Sequence, residues 1–332
     1  ALLSALRPDA RLILLGDADQ LPSVGAGAVF GDLCAAGSRE AVSPEFGAFC
    51  HSLGLGSLPE APEADPLADA VVRLTVSHRF SDDSGIGALA RALRDGDAEG
   101  VRQTLAPGAF PDVACLTASD EAVWAHVEPH ARRLCTSRDQ REALDAAAAF
   151  RLLAPTRGGR WGVRALTGIV ERRLSEEGLR PSPWDPWYHG RPILITANDY
   201  DRGLFNGDVG VVWRRGPQPV VLFETAGEIR EVPVATLPEH ETAWAMTVHK
   251  SQGSEFNDVL FVLPAEAEAE RLTRALAYTA VTRAKAQATD GPVPLTILGS
   301  AARLAESAQR SDRRLGGLAE RLAEVGRPLA PG

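Results

Sequence analysis

The chain has 332 residues, of which 45% are hydrophobic and 24% charged, and its formal net charge is −9. Its length allows two or three domains, and its composition is that of a folded globular protein, which excludes general disorder and collagen-like sequence. No run of about 18 apolar residues occurs, so no transmembrane helix is expected. The acidic balance argues against a broadly basic surface, although a local basic groove is compatible with it.

The positions of the cysteines and lysines exclude several kinds of functional site. The four cysteines form no C-x-x-C pair, so they predict neither a zinc site nor a redox dithiol. We expect them to be reduced, in a cytoplasmic protein without a signal peptide. The two lysines are Lys250 and Lys285. Neither follows a glycine, so the chain contains no G-x-x-x-x-G-K-[ST] phosphate loop.

The first 35 residues predict a helix, a strand, a loop and a second helix. The apolar run Leu12–Gly16 is typical of a buried parallel strand. A domain seldom opens at a core strand, which favours earlier strands of the same sheet upstream. The alternative is that a short Ala-Leu helix starts the fold. Residues 40–70 hold six acidic residues, four prolines and no lysine or arginine, and predict an exposed linker.

The next segment predicts alternating strands and helices. We expect a short strand at Leu74–Val76, helices at 84–95, 119–135 and 139–148, and a strand at Arg151–Pro155. The sequence Ser119-Asp120-Glu121 imitates an acidic metal-binding motif, but a serine before acidic residues indicates the start of a helix. Residues 151–180 contain seven arginines and three glutamates, a local charge of +4.

Residues 190–237 change to short β-rich runs separated by glycine, asparagine and aspartate. Strands are expected at 192–196, 209–213, 220–224 and 229–234, and their spacing predicts a small SH3-like barrel. An α/β pattern then returns, with strands at Trp244–Thr247, Val259–Leu263 and Leu295–Leu298 and a long helix from Ala265 to Ala286. The sequence therefore predicts an α/β protein in which a small barrel interrupts a parallel-sheet domain.

Polar residues follow several predicted strands, at the carboxyl ends where open α/β sheets bind ligands. Gln20 can orient a water or contact a terminal phosphate, although its loop taken alone favours a plain turn with aspartate caps. Thr247 can cap a short helix whose free N–H groups suit a phosphate. His249 and Lys250 add donors to this loop, and Gly253 ends the helix. So many polar donors between two apolar strands favour a ligand loop over a solvated face.

Glu255 and Arg283 follow further along the chain. Glu255 lies on the turn into the strand at Val259–Leu263. At helical spacing Arg283 extends an apolar stripe that includes Leu272 and Leu276. A charge in such a stripe is costly unless it is paired. Arg283 therefore either snorkels at a helix end or faces an anion in a cleft, because its fork matches phosphate oxygens.

Two weaker arginine sites follow short strands. Arg79 lies just after the strand at Leu74–Val76. Thr156, Arg157 and Arg160 lie in a loop rich in glycine and arginine that also carries a tryptophan. Such a loop can contact a nucleic-acid backbone. A solvated surface arginine is the alternative for both sites.

Taken together and in this order, the motifs resemble those of superfamily 1 helicases of the 5′-to-3′ class, and among these the RecD family. The resemblance runs from about Ala10 to Ser300 and is most specific from Gly190 to Lys285. It rests on GDADQLPSVGAGAVFGDL (similar to motif III), LTVSHRF (motif IV), RPILITANDYDRGLFNGDVGVV (the inserted domain), LPEHETAWAMTVHKSQGSEF (motif V) and YTAVTRAK (motif VI).

The resemblance implies a RecA-like motor with an inserted SH3-like barrel. It implies that residues 1–70 are the end of motor domain 1A, that 71–189 and 240–332 form domain 2A, and that 190–239 form the inserted domain 2B. ATP and Mg²⁺ would be the cofactors of such a motor. Its partners would be single-stranded DNA and RecB- and RecC-like subunits, with no membrane association.

The same resemblance implies roles for matching positions. Gln20 would sense the γ-phosphate, and Arg79 and Arg283 would reach that phosphate from the second motor domain. We expect these three side chains to converge across an open gap. Gly253 and Glu255 would lie at the nucleotide edge. Thr247, His249 and Thr156 would face single-stranded DNA, with Lys250 left between a DNA-binding and a structural role. Apart from the resemblance, the local positive charge predicts a basic DNA-binding groove that uses the arginines of 151–180, Arg157 and Arg160 among them, together with the motif V-like segment.

One departure from the family is large. The phosphate loop and the magnesium-binding Asp-Glu pair that precede motif III in the family are absent, and no other metal site is predicted. We therefore expect a shortened piece of a helicase that does not hydrolyse ATP by itself, with no nuclease site of its own. Two alternatives stay open: a free-standing RecD-like helicase outside any nuclease complex, and a non-catalytic DNA-binding scaffold derived from such a motor.

Overall fold

The computed structural model describes residues 5–7, 9–22, 29–37, 41–61, 67, 69–72, 74, 80, 83–214, 216, 218–285, 293–310, 318 and 321. The chain divides into two compact units, Ala1–Val76 with Arg313–Gly332, and Ser77–Asp312. Within the described ranges, none of the helices has the length and apolar character needed to cross a membrane.

Among the residues that the structure describes, the first unit contains two short helices, α1 Val29–Ala36 and α2 Pro44–Ser52. Helix α2 begins at a cap, because the Ser43 side chain accepts a backbone N–H three residues on at 3.1 Å and a proline occupies the first helical position. The Ser43 hydroxyl also donates to Asp69 at 2.6 Å. The prediction of a plain linker over 40–70 is therefore wrong at α2, whose cap is a stronger local signal than the acidic, proline-rich composition around it.

The strand predicted at Leu12–Gly16 is not formed. These residues form no hydrogen-bonded strand ladder, and Ile13 and Leu15 are 80% and 93% exposed. A strand is stable when neighbouring strands satisfy its N–H and C=O groups. The described residues of the first unit place no strand beside this apolar run, and the run forms no strand ladder. Most of the strand predicted at Leu74–Val76 lies outside the described residues.

The second unit holds the other helices and all the strands that the structure describes. The helices are α3 Gly85–Asp95, α4 Ala98–Thr104, α5 Asp120–Thr136, α6 Gln140–Ala149, α7 Val163–Glu176, α8 Arg274–Val281 and α9 Ala301–Ala308. The strands are β1 Val113–Leu116, β2 Phe150–Ala154, β3 Pro192–Ile195, β4 Val209–Trp213, β5 Val220–Thr225, β6 Glu228–Pro233, β7 His240–Thr242, β8 Ala245–Thr247, β9 Asp258–Val262 and β10 Leu295–Leu298.

Three of these helices confirm the sequence predictions to within one residue at each end: α3, α5 and α6. The start of α5 shows why. The Ser119 side chain accepts the Ala122 N–H at 3.0 Å, and Asp120 and Glu121 occupy the first turn. Acidic side chains are favoured there by the partial positive charge of the helix start. The acidic pair is therefore a helix start and not a metal-binding motif.

A five-stranded parallel sheet forms the centre of the second unit. Its strand order is β1-β10-β9-β2-β8, and every neighbouring pair is parallel. Leu152 and Leu260 belong to one core with residues of α5, α6 and α7, while Leu153 and Phe261 on the opposite face are also fully buried. A parallel sheet buried on both faces explains the apolar runs in the sequence, and the predicted α/β class is confirmed.

The inserted segment forms a second, antiparallel sheet with strand order β6-β5-β4-β3-β7. The four predicted strands of this segment are confirmed as β3 to β6, and β7 returns the chain to β8. Alternate residues face different cores: Val211 and Leu222 join the main core, whereas Val212 and Val221 form a smaller one. That this sheet closes into an SH3-like barrel stays a prediction.

The long helix predicted from Ala265 to Ala286 is wrong. The chain forms a 3₁₀ segment at Glu266–Arg271 and then α8, which ends at Val281. Leu272 and Thr273 are extended between them, and the Thr273 side chain accepts the Leu276 N–H at 3.4 Å, so it caps a new helix. Leu272 therefore precedes the helix and Arg283 follows it, and the stripe predicted to join them does not exist.

Gly190 connects α7 to β3 and passes close to the backbone of α5. Its φ is +80°, and a Cβ there would lie 2.5 Å from the Leu134 carbonyl oxygen. We predict that Gly190→Ala lowers the free energy of unfolding by more than about 1 kcal/mol, because the side chain meets backbone and φ is unfavourable. Chemical denaturation measures this change. Gly168→Ala is the matched control, since Gly168 is exposed within α7 with open space around it and should gain stability. Equal stabilities of the two variants would contradict the prediction.

Candidate functional site

The loops that follow β2 and β8 begin side by side. Ala154, the last residue of β2, is the register partner of Thr247, the last residue of β8. Thr156 lies in the loop after β2, and a 3₁₀ turn at Val248–Ser251 follows β8. Neighbouring parallel strands release their loops at the same edge of a sheet, which is where such folds bind ligands. The structure therefore brings together two of the segments that the sequence predicts to face DNA.

Hydrogen bonds and glycines hold the loop after β2 in a tight conformation. The Thr156 hydroxyl donates to the Gly158 carbonyl at 2.8 Å, and the Thr156 carbonyl accepts the Val163 N–H at 3.0 Å. Gly159 has a φ of +89°, and a Cβ there would collide with the Glu268 carboxylate. The glycine-rich sequence thus allows the tight loop from which α7 starts.

The two arginines of this loop have different surroundings. Arg157 is exposed and its Nη2 lies 3.9 Å from Glu241 Oε2. Arg160 donates to Asp120 Oδ1 at 2.5 Å and its guanidinium lies 4.4 Å from the centre of the Trp161 ring. Partial burial alone would raise the pKa of Asp120, but hydrogen bonds from Arg160 and Arg172 outweigh it and lower that pKa. Arg160 is thus already bound to a carboxylate, whereas Arg157 is the more available cation.

The positive stretch over 151–180 is largely neutralised within the fold. Arg151 is 5% exposed, and burial lowers its pKa to about 10. Carboxylates pair with Arg160, Arg172, Arg173 and Arg180. Arg157 and Arg164 are left exposed. Composition alone therefore overstates the basic groove that this stretch predicts.

Glu241 lies between cations of the two loops and is a site residue that the sequence analysis missed. It belongs to β7 of the inserted sheet, and its Oε1 accepts from Lys250 Nζ at 2.6 Å. Its other oxygen faces Arg157. The inserted sheet is thereby tied to both loops by charge. One signal for this ion pair was present in the sequence. Lys250 is one of two lysines in a chain that otherwise uses arginine, and Glu241 precedes it by nine residues.

The turn after β8 differs from the expected short helix. Thr247 is buried and occupies the cap position, but its side chain makes no capping hydrogen bond. The expected short helix is therefore a four-residue 3₁₀ turn, and a phosphate site at its start stays a prediction. Gly253 ends the turn with a φ of +81°, as expected, and His249 and Glu255 are half-buried beside it.

Arg283 is buried against the segment that contains Gly253 and Glu255. It is 2% exposed, and its guanidinium donates to the Ser254 carbonyl and the Thr279 carbonyl, both at 3.0 Å. The Phe256 N–H donates back to the Arg283 carbonyl at 2.9 Å. Arg283 therefore does not snorkel at a helix end, and the structure unites the two segments that resemble motifs V and VI.

Gln20 and Arg79 are the remaining predicted site residues. In the first unit the Gln20 amide donates to Asp17 Oδ2 at 2.9 Å, and the Asp19 N–H donates to the other oxygen of Asp17. This is the turn with an aspartate cap that the sequence also allowed. Arg79 lies outside the described residues. The convergence of Gln20, Arg79 and Arg283 stays a prediction.

Comparison with known families finds a helicase domain at this site. Residues 242–289 match the UvrD-like helicase C-terminal domain. The match contains the turn after β8, the glycine that ends it, and the buried arginine. The segment in which the structure joins these features is therefore similar to a helicase domain.

The curated relatives are RecD proteins. The chain is 38% identical to RecBCD enzyme subunit RecD of Mycolicibacterium smegmatis, over 98% of this chain and 51% of the relative. It is 39% identical to the RecD subunit of Mycobacterium tuberculosis over the same shares, and 34% identical to that of Haemophilus influenzae over 87% of this chain and 47% of the relative. The chain thus spans about half the length of the curated relatives it matches.

Among solved structures, the chain is similar to the Pif1 helicase of Candida albicans, with a TM-score of 0.38 and 14% identity over 80% of this chain and 66% of that chain. A similarity this low supports no further conclusion. The sequence matches define the class, since residues 242–289 match a UvrD-like helicase C-terminal domain. More particularly the chain is similar to RecD along nearly its whole length, which confirms the resemblance predicted from its motifs.

Proposed function

We propose that the complete protein is an ATP-dependent 5′-to-3′ DNA helicase subunit of a RecBCD-type helicase and nuclease that acts in double-strand break repair in the cytoplasm. Its relatives carry the names of RecBCD subunits, which supports RecB- and RecC-like partners. The observation that carries the proposal is the burial of Arg283 against Ser254, because it joins the motif VI-like and motif V-like segments into one wall. Single-stranded DNA would be the substrate track.

The proposal includes a division of labour along the chain. Residues 1–70 would be the end of motor domain 1A, and residues 71–189 and 240–332 would form domain 2A, in which β7, at the start of the second segment, pairs with the inserted sheet. Residues 190–239 would be domain 2B, inserted between strands β2 and β8 that are neighbours in that sheet. An insertion at this place lies next to the loops proposed to touch DNA, and Glu241 links the two.

The residues of this chain would supply part of the nucleotide site. ATP hydrolysis, with Mg²⁺, would supply the energy of movement, and the main phosphate and metal ligands would come from outside the 332 residues. Gln20 would sense the terminal phosphate, and Arg79 and Arg283 would stabilise the charge that develops on it. Gly253 and Glu255 would border the nucleotide. Opening and closing of the cleft would shift the grip of the 156–160 and 247–250 loops along DNA.

Strand displacement by the complete protein tests this function. We expect ATP-dependent unwinding of a duplex with a 5′ single-stranded tail, and none of a duplex with only a 3′ tail. The 332 residues alone should bind single strands but turn over no ATP, because they contain no phosphate loop. If no unwinding occurs with or without RecB- and RecC-like subunits, the non-catalytic scaffold is the remaining alternative. ATP turnover by the 332 residues alone would refute the proposal that they lack the phosphate ligands needed for hydrolysis.

A free-standing helicase is the second candidate. One relative is the ATP-dependent RecD2 DNA helicase of Deinococcus radiodurans, 30% identical over 86% of this chain and 33% of that protein. The two candidates differ in what they need. Unwinding by the purified protein alone, unchanged by added subunits, favours the free-standing form, whereas unwinding that requires the other subunits favours the complex.

A further inference from the structure

A cluster of two histidines and one aspartate joins α5 to β9. His126 and His130 are four residues apart on α5, so they lie on one face of the helix. Asp258 is the first residue of β9 and is 4% exposed. Its two carboxylate oxygens each contact a different imidazole, His126 Nε2 and His130 Nε2, at 2.8 Å. The cluster has no part in the function proposed above.

Its surroundings fix the three side chains. Phe150 of β2 is the register partner of Asp258, and the His130 ring stacks on the Phe150 ring at 4.2 Å with an interplanar angle of 9°. The His126 ring lies 5.8 Å from the same phenylalanine. The carboxylate is held in the sheet and the imidazoles are held by a helix and an aromatic floor. Side chains on such rigid elements keep their positions relative to one another.

The donor set suits a transition-metal ion. Two imidazole nitrogens and a carboxylate oxygen, all within 4.8 Å of one another, offer three ligand atoms. Zinc and similar ions bind such mixed nitrogen and oxygen sets, whereas Mg²⁺ and Ca²⁺ prefer oxygen alone. With neutral imidazoles the cluster carries a single negative charge in a nearly buried place, and a divalent cation would offset it.

Binding of one ion requires the three side chains to shift. A tetrahedral ion with bonds of about 2.0–2.1 Å separates its ligand atoms by about 3.3 Å, whereas each Nε2 lies 2.8 Å from a different oxygen of Asp258 and the three ligand atoms lie within 4.8 Å of one another. Each Nε2 would give up its role as donor, and the ring proton would move to Nδ1. The His126 and His130 side chains are 20% and 21% exposed, which leaves a solvent-facing side for entry of the ion and for a water as fourth ligand.

We propose that His126, His130 and Asp258 form a binding site for one divalent transition-metal ion of the zinc class, which fastens α5 to the start of β9. The site would be structural. Asp258 follows closely after Phe256, whose N–H binds the Arg283 carbonyl, so the ion would also steady the segment that carries the buried arginine.

Metal titration of the complete protein, stripped of metal and freed of any histidine tag, tests the site. We expect one equivalent of Co²⁺ to give the visible absorption of a four-coordinate centre, and Zn²⁺ to displace it. At a Zn²⁺ concentration 100-fold above Kd, the melting temperature should rise by about 5–10 °C. Mg²⁺ should cause no comparable rise.

His126→Gln is the decisive variant, because glutamine keeps an N–H donor for Asp258 but offers no imidazole nitrogen. It should fold and bind Zn²⁺ more than about 100-fold more weakly, since even outer partners of a metal are worth about 10–100-fold. His240→Ala is the matched control, as His240 bonds to the Pro238 carbonyl away from the cluster, and should bind Zn²⁺ normally. If the unaltered protein binds no stoichiometric Co²⁺ or Zn²⁺, or if His126→Gln binds equally well, the cluster is a hydrogen-bonded triad only and the proposal is overturned.

Discussion

Replacing Arg283 by alanine in the complete protein is expected to lower the turnover number for DNA-stimulated ATP hydrolysis by about 10³–10⁵-fold, the range found for arginines that stabilise phosphoryl transfer. The guanidinium is already fixed by the carbonyls of Ser254 and Thr279, so little freedom would be lost when it meets a phosphate. Arg283→Lys should be nearly as inactive, because an ammonium keeps the charge but not the planar fork. Steady-state ATPase assays at saturating ATP and single-stranded DNA measure the effect.

Loss of the buried arginine also removes a donor from two carbonyls, which can destabilise the fold by about 1–3 kcal/mol. Thermal melting and single-strand binding of each variant separate this effect from catalysis. Arg271→Ala is the control, since Arg271 is exposed and pairs only loosely, at 4.0 Å, with Glu268, and its activity should be unchanged. A folded Arg283→Lys protein that keeps more than a tenth of the turnover would show that Arg283 is an internal brace and not a phosphate contact.

The elements that the sequence predicts best are those with strong local signals. Ser119 before two acids determines the start of α5, and the buried apolar run of β2 determines a central strand. The predictions that failed depended on contacts that the sequence does not reveal. Leu12–Gly16 is apolar yet unpaired, because a strand depends on neighbours distant along the chain. The prediction of one long helix failed at Thr273, whose side chain caps a new helix.

The candidate site shows the same division. The positions of Thr247, Gly253 and Arg283 were found because they stand in dense motifs. Glu241 was missed because its meaning comes from two cations on different loops. His126 and His130 have a visible helical spacing, but Asp258 is distant in sequence, and only the pairing of β9 with β2 brings it under α5. Charge counts misled for a related reason, since folding pairs most arginines of 151–180 internally.

Removing the negative charge of Glu241 is expected to tighten single-strand binding by the complete protein, while removing Lys250 weakens it. Glu241 contacts Lys250 at 2.6 Å and faces Arg157 at 3.9 Å, so it screens two cations at the edge where DNA is proposed to pass. Glu241→Gln keeps the shape and releases both charges, and Kd for a single strand should fall by about three- to tenfold at low salt. Fluorescence anisotropy over a salt series measures both variants.

The salt dependence separates DNA contact from mere structure. If Lys250 neutralises one phosphate, Lys250→Ala should lower the slope of log K against log salt by about 0.7, the value per phosphate for single strands. Glu239→Gln removes the same charge from an exposed position two residues away and controls for net charge, so its Kd should change less than that of Glu241→Gln. If Glu241→Gln merely lowers the melting temperature and the slope for Lys250→Ala is unchanged, the pair is a structural tie between the inserted sheet and β8, and the DNA path lies elsewhere.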